Sequence, residues 1–156
     1  MIGLPDIGLA LPSDAQAIAD LSRREIEHGL RWSWTTGRVR RAIQDRETNV
    51  VVARDGDAIC GFALMAYRSE DAHLLLLAVS PDWRRRGIGS ALIVWLEETL
   101  RQAGIMRVQV EMRQANRVAR AFYARLGFEP VNASRGYYQG VENALHLVKE
   151  LDFSGA

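Results

Sequence analysis

The stretch Arg84-Arg85-Arg86-Gly87-Ile88-Gly89-Ser90 decides how the chain is read. The apolar run Leu74 to Val79 leads into it through Ser80-Pro81-Asp82-Trp83, and a helical pattern leaves it. Strand, glycine turn and helix N-terminus therefore follow one another. At such a turn several backbone N–H groups have no intrahelical acceptor, and the helix dipole adds partial positive charge. A phosphate or pyrophosphate fits there. Glycine lets the backbone approach a ligand that a Cβ would hold off. Three arginines add positive charge beside the cradle.

After the turn, Ile88, Ala91, Leu92, Trp95, Leu96 and Leu100 recur at helical spacing, and Gly104 closes the helix. Ile105 to Met112 is a strand, with Val108, Val110 and Met112 alternating against Arg107, Gln109 and Glu111. Asn116 caps a helix with Val118, Ala119, Phe122, Tyr123 and Leu126 as its apolar positions, and Gly127 ends it. Phe128 to Val131 and Ala144 to Val148 are the last strands. Before the turn, Ile7 to Leu11 is a first strand. Ser13-x-x-Gln16 has the form of a capping box and opens a helix to about Arg24. Thr35 or Thr36 caps a second, short helix. Asn49 to Ala53 and Ala58 to Tyr67 are strands joined by the hairpin turn Asp55-Gly56-Asp57. His73 to Val79 is nearly continuous in leucine, as in a strand buried on both faces. The order β α α β β β α β α β β is that of a mixed α/β fold. No repeat or linker divides it, so residues 1–156 are expected to form a single domain.

A net charge of +1 argues against a nucleic-acid partner. Cys60 is the lone cysteine and sits in an apolar stretch, so a core thiol in a reducing compartment is expected. No apolar run reaches the length of about 18 residues that a membrane span needs, and no secretory leader is evident, so the cytoplasm is expected. His28, His73 and His146 are scattered without metal-ligand spacing, and no metal is expected.

The ligand of the cradle can be narrowed. A dinucleotide fold wants three glycines after its first strand, and a P-loop wants a lysine after its glycine. Here the turn follows the fourth strand, and Ile88-Gly89-Ser90 contains no lysine. A ligand with a pyrophosphate and a long arm, running along an open strand, fits better. Coenzyme A is one.

The residues Val79-x-Pro81-x-x-Arg84-x-x-Gly87-x-Gly89-x-x-Leu92 resemble the acyl-CoA motif, Q/R-x-x-G-x-G/A, of the GNAT N-acetyltransferases. Asn116-x-x-Ala119-x-x-x-Tyr123-x-x-x-Gly127-Phe128 resembles their second motif. From Leu77 to Leu147 the pattern is similar to the bacterial ribosomal-protein alanine N-acetyltransferases. Its marks are Glu111-x-Arg113-x-x-Asn116, Tyr123, and Tyr137-Tyr138 before Glu142-Asn143-Ala144. That subgroup usually has two acids where this chain has Glu142-Asn143, and usually a glutamine at the position of Arg84.

The resemblance implies a mostly antiparallel, twisted sheet of about seven strands with about four helices, splayed at the strands ending Val79 and Met112. It implies acetyl-CoA as co-substrate and direct transfer of acetyl to an amine, foremost the α-amino group of a protein or peptide. A small-molecule amine or a lysine side chain is the alternative acceptor. A non-catalytic acyl-CoA-binding module is the alternative of another class. The protein is expected to act as a monomer or homodimer. By carry-over, Leu77, Ala78 and Val79 hold the pantetheine arm, and the Val79 N–H polarises the thioester carbonyl. Arg84, Arg85, Arg86, Gly87, Ile88, Gly89 and Ser90 hold the pyrophosphate, and Asn116 binds the cofactor arm.

Glu111 is the candidate general base. A carboxylate of ordinary pKa ~4.3 suits an α-amine of ~7.7–8.0 better than a lysine of ~10.4, because less free energy separates that amine from its neutral form. Glu111 equally fits the outward position of an alternating strand, like Gln109. Tyr123 is the candidate general acid, since a phenol is protonated at neutral pH and can donate. It equally fits the core face of its helix, and a packed ring can keep a working hydroxyl. Trp32, Trp34, Tyr137 and Tyr138 are expected to line the acceptor entrance.

Overall fold

The computed structural model describes residues 5–134 and 144–151. They form one seven-stranded sheet in the order β1-β2-β3-β4-β5-β7-β6. Its strands are β1 (Asp6–Leu9), β2 (Thr48–Asp55), β3 (Ala58–Tyr67), β4 (Asp71–Val79), β5 (Arg107–Arg113), β6 (Glu129–Ser134) and β7 (Ala144–Glu150). All neighbours are antiparallel except β4 and β5. That pair is parallel because a helix, α3 (Ile88–Ala103), carries the chain back across the sheet between them. The other helices are α1 (Ala15–Glu25), α2 (Thr36–Gln44) and α4 (Arg117–Arg125). Among the described residues, no helix is long and apolar enough to cross a membrane.

Both faces of the sheet are covered. Val51, Ala63, Met65, Ala72 and Leu74 pack on the face of α3 and α4. Val50, Val52, Phe62, Leu64 and Leu76 pack on the face of α1 and α2, against Ile18, Leu21 and Val39. Double coverage is why β2 reads as a valine run and β4 as a leucine run. Cys60 is fully buried, and desolvation pushes its thiol up from the ordinary value. Val118 departs from the helical reading. It is 81% exposed, on the face of α4 turned from the core.

The β4 strand contains a bulge. Met65 is paired with Leu74 and Leu64 with Leu76, so Leu75 has no opposite residue. The inserted residue exchanges the faces: Leu74 packs toward α3, while Leu76 and Ala78 pack toward α1 and α2. A strand of uninterrupted leucines tolerates this exchange because either face can be buried. The β4–β5 pairing runs only from Asp71–Arg107 to Leu74–Val110 and stops at the bulge. Beyond it the two strands part, as the resemblance implies.

The start of α1 differs from the capping box expected at Ser13 and Gln16. The chain makes a 3-10 turn over Pro12–Asp14, and no side chain caps α1. Asp14 is drawn elsewhere. Its carboxylate accepts the Leu11 N–H at 2.8 Å and a forked pair from Arg54 at 3.0 and 2.6 Å. The hydrogen bond from Arg54 outweighs burial and holds the Asp14 carboxyl below its ordinary value. A depressed carboxyl contributes stability that is present above its unfolded pKa and lost as pH falls through the folded one. Asp14→Asn is therefore expected to cost about 1–3 kcal/mol at neutral pH and to flatten the acid limb of the stability curve. Urea midpoints measured from neutral to acid pH check this; parallel curves for the two proteins would refute it.

Candidate active site

A cleft of about 440 Å3 opens where β4 and β5 part. One wall is β4 from His73 to Leu77, the other β5 from Val110 to Arg113. The connection between α1 and α2 forms a third side, and Asn116, Ala119 and Tyr123 of the α4 region close the fourth. The split thus begins at the bulge, and the neighbouring helices supply side chains.

Glu111 and Tyr123 meet in this cleft. Glu111 alternates with the buried Val110 and Met112, which turns its side chain to the face away from α3. Its Oε2 is buried and has no hydrogen-bond partner among the described residues. An orphaned buried carboxylate oxygen is costly until a donor reaches it. Tyr123 is 6% exposed and held edge-on by Phe122 and Phe128, at centroid separations of 5.1 and 5.4 Å. Packing fixes the ring at the cleft wall.

Histidines surround Glu111. His146 lies opposite it on β7. The Gln109 amide nitrogen donates to Asp71, so its oxygen is the acceptor for His146 Nε2–H at 2.8 Å. His73 lines the cleft, and burial lowers its pKa from the ordinary value, with the Glu111 charge opposing that shift in part. Burial thus favours the neutral form of the His73 imidazole.

The cradle is built from backbone. Arg85 has φ +63° and Gly87 φ +80°, and left-handed residues in a turn direct amides to one side. No side chain caps α3, so the amides of its first turn keep their donors. The glycines serve different ends. Gly87 supplies a left-handed N-cap, with nothing near a Cβ there. A Cβ on Gly89 would meet the Phe122 ring at 3.1 and 3.2 Å. Gly89 thus makes room for α4, and through Phe122 for its neighbour Tyr123, in addition to any ligand. Gly89→Val is expected to cost about 1–3 kcal/mol of stability by overpacking and to weaken coenzyme A binding by displacing the first turn of α3. Thermal unfolding and calorimetric titration with coenzyme A check both; a variant unchanged in each would refute the packing argument.

The arginines also divide. Arg84 ion-pairs with Glu25 of α1 and donates Nε–H to the Val79 carbonyl at 3.4 Å. The Arg86 guanidinium stacks on Trp83, 4.7 Å from the ring centroid. Asn116 Oδ1 accepts the Ala119 N–H at 3.0 Å as a helix cap, a bond that does not use its NH2 donors. Leu77 lines the cleft, whereas Ala78 and Val79 pack into the two cores. The Ser80 N–H donates to the Cys60 carbonyl on β3 at 2.7 Å. Successive amides alternate across a strand, so the Val79 N–H turns away from β3, toward the split.

Trp34 lines the cleft. Trp32 is not among the lining residues; it packs against the α1–α2 core with the Arg23 guanidinium over its ring at 4.7 Å. Tyr137 and Tyr138 lie outside the described residues. Among the described residues, no group of three His, Cys, Asp or Glu is placed to hold a metal ion.

Glu27 escaped the sequence reading, and Arg113 entered it only as a mark of the motif. Buried Glu27 accepts the Ser33 N–H at 2.8 Å, the Ser33 hydroxyl at 2.6 Å and the Trp34 N–H at 3.3 Å. Arg113 donates to the carbonyls of Ile26 and His28 at 3.0 and 3.2 Å, satisfying orphan acceptors past the end of α1. Together they shape the third side of the cleft. An acid inside a basic, aromatic loop was the available signal for Glu27.

The acetyltransferase (GNAT) family model matches residues 15–128. The chain belongs to the GNAT family. A [Ribosomal protein bS18]-alanine N-acetyltransferase of Salmonella typhimurium is 35% identical over 104 residues, covering 65% of this chain and 70% of the relative. The Escherichia coli protein of the same name is 33% identical over 104 residues, with the same coverage of 65% and 70%. Among solved structures, the ribosomal-protein-S18-alanine N-acetyltransferase from Escherichia coli superposes with a TM-score of 0.82 at 27% identity, covering 96% of each chain. The PaiA N-acetyltransferase from Thermoplasma acidophilum, in complex with coenzyme A, shares the fold at a TM-score of 0.80 and 16% identity, over 96% and 99% of the two chains. As a GNAT protein the chain is an acyltransferase, and acetyl-CoA is its donor.

Proposed function

We propose that this GNAT protein acetylates the α-amino group of a protein or peptide, acting in the cytoplasm as a single domain over residues 1–156. The observation that carries the reading is the buried, unpartnered Glu111 Oε2 in a cleft shared with Tyr123. The names of the bS18-alanine N-acetyltransferases, at 35% and 33% identity, support the acceptor.

The split accommodates the donor: β4 has an unpaired edge beyond Leu74, and α3 presents uncapped amides at its end. The first turn of α3, with Arg85, Arg86 and Gly87, holds the pyrophosphate, Leu77 to Val79 lie along the arm, and the Asn116 amide donates to it. Bound acetyl-CoA supplies an activated thioester. Glu111 accepts a proton from the incoming ammonium, directly or through a water, and frees the lone pair for attack. The Val79 N–H donates to the carbonyl oxygen as negative charge grows there, which favours the transition state over the ground state. Tyr123 gives its phenolic proton toward the departing sulfur. Trp34 borders the path of the acceptor.

The test offers acetyl-CoA with peptides bearing a free α-amine, peptides with a blocked N-terminus and one lysine, and small amines. Thiol release and fragment masses are read. Acetyl on the α-amine is the expected result. Acetyl only on lysine or on small amines would overturn the acceptor. Tight coenzyme A binding with no turnover on any amine would leave a binding module.

A further inference from the structure

Among the described residues, the acceptor side of the cleft carries cations that no carboxylate offsets. Arg38 and Arg31 both line it and are exposed. The Arg38 guanidinium lies over the Trp34 ring, 3.7 Å from its centroid, and donates to the Ser33 carbonyl at 3.4 Å. Ser33 and Trp34 are themselves fixed by the carboxylate of buried Glu27. The guanidinium thus rests on a platform anchored from below, with N–H groups left over. A stacked, planar guanidinium is suited to accept a carboxylate in a two-point fork.

Helix stability does not account for Arg38. It sits in the first turn of α2, which has no acidic residue, and a cation there opposes the helix dipole. Among the described residues, no salt bridge is formed by Arg31 or Arg38. The other charges of the cleft are committed: Glu25 to Arg84, Glu27 to Ser33 and Trp34, and Arg113 to the Ile26 and His28 carbonyls. What is left is polar in one sense, with the orphaned Glu111 oxygen on the β5 side and two unpaired guanidiniums on the α1–α2 side. Such a cleft complements a molecule with an ammonium at one end and a carboxylate near it.

We propose that Arg38, with Arg31 beside it, reads a carboxylate close to the reactive amine of the acceptor. Resting on the α-amine reading above, the carboxylate is an acidic side chain at one of the residues just after the acceptor's N-terminal residue. The free carboxylate of a dipeptide is the same chemistry from another source.

The experiment compares C-terminally amidated peptides that begin with alanine and carry aspartate or glutamate, serine, or lysine in the following positions. An alanyl dipeptide is added with a free and with an amidated C-terminus. Acidic peptides are expected to exceed lysine peptides in kcat/KM by about tenfold or more, with the gap shrinking as salt rises. The paired variant Arg31→Glu, Arg38→Glu is expected to invert the order. An inverted order shows the chain is folded and the fork is the reader. A dipeptide favoured only when its carboxylate is free, with acidic side chains ignored, supports the fork and overturns the side-chain source. Equal rates for all peptides, or an order that the variant leaves in place, would overturn the fork alone. Acetylation of no peptide, with small amines accepted, would overturn the α-amine reading instead.

Discussion

Replacing Tyr123 with phenylalanine is expected to lower kcat about a hundredfold or more while leaving the affinity for coenzyme A nearly unchanged. The ring of Tyr123 is held by Phe122 and Phe128, and both contacts survive in the variant. What is lost is one proton donor at the cleft wall. If the phenol protonates the departing sulfur, its loss raises the barrier of that step and little else, because on the proposed reading ground-state binding rests on the α3 cradle and β4. An equal fall in kcat and in coenzyme A affinity would assign Tyr123 to packing. A control for folding is at hand, since the thermal midpoint should move little.

Glu111→Gln carries the second large effect. A glutamine keeps the shape and removes the base, so kcat/KM is expected to fall about a hundredfold or more at neutral pH. The loss should shrink as pH rises, because more of the amine is then already neutral and needs no base. The variant's profile is thus expected to climb toward the pKa of the amine itself, ~7.7–8.0 for an α-amine and ~10.4 for a lysine. The position of that climb identifies the kind of amine independently of product analysis. A profile that keeps the parent's shape would return Glu111 to the role of an outward strand residue.

Much of the fold was legible because local signals agreed. Asn116 caps α4, Thr35 caps α2, and Gly104 and Gly127 close helices with left-handed backbone. The leucine run of β4 announced burial on both faces but not the bulge at Leu75, since an uninterrupted run hides any shift of register. Asp14 shows a different failure. The box at Ser13 and Gln16 was plausible locally, yet Arg54, forty residues on, captured the carboxylate next to it. At the site, Glu111 and Tyr123 were named through the resemblance to the GNAT motifs and do share a cleft. Glu27 was not, because its partners Ser33 and Trp34 are backbone and hydroxyl donors in an irregular loop, and such pairing leaves no periodic trace. Gly89 was read for its ligand-facing space, whereas Phe122 of a later helix fills the near side.

The brevity of the β4–β5 seam has a consequence for the protein as a material. Between Asp71 and Leu74 the seam carries only four register pairs, and past them the sheet is two leaves, β1 to β4 and β5 to β7 with β6. An extended donor arm laid against β4 would stand where the missing neighbour strand would be, lending the open edge the contacts that β5 withholds. The co-substrate then acts as a removable rib of the scaffold. A loaded protein would resist unfolding more than an empty one in proportion to the logarithm of donor concentration, so the supply of acetyl donor would bear on how long the enzyme persists as well as on how fast it turns over.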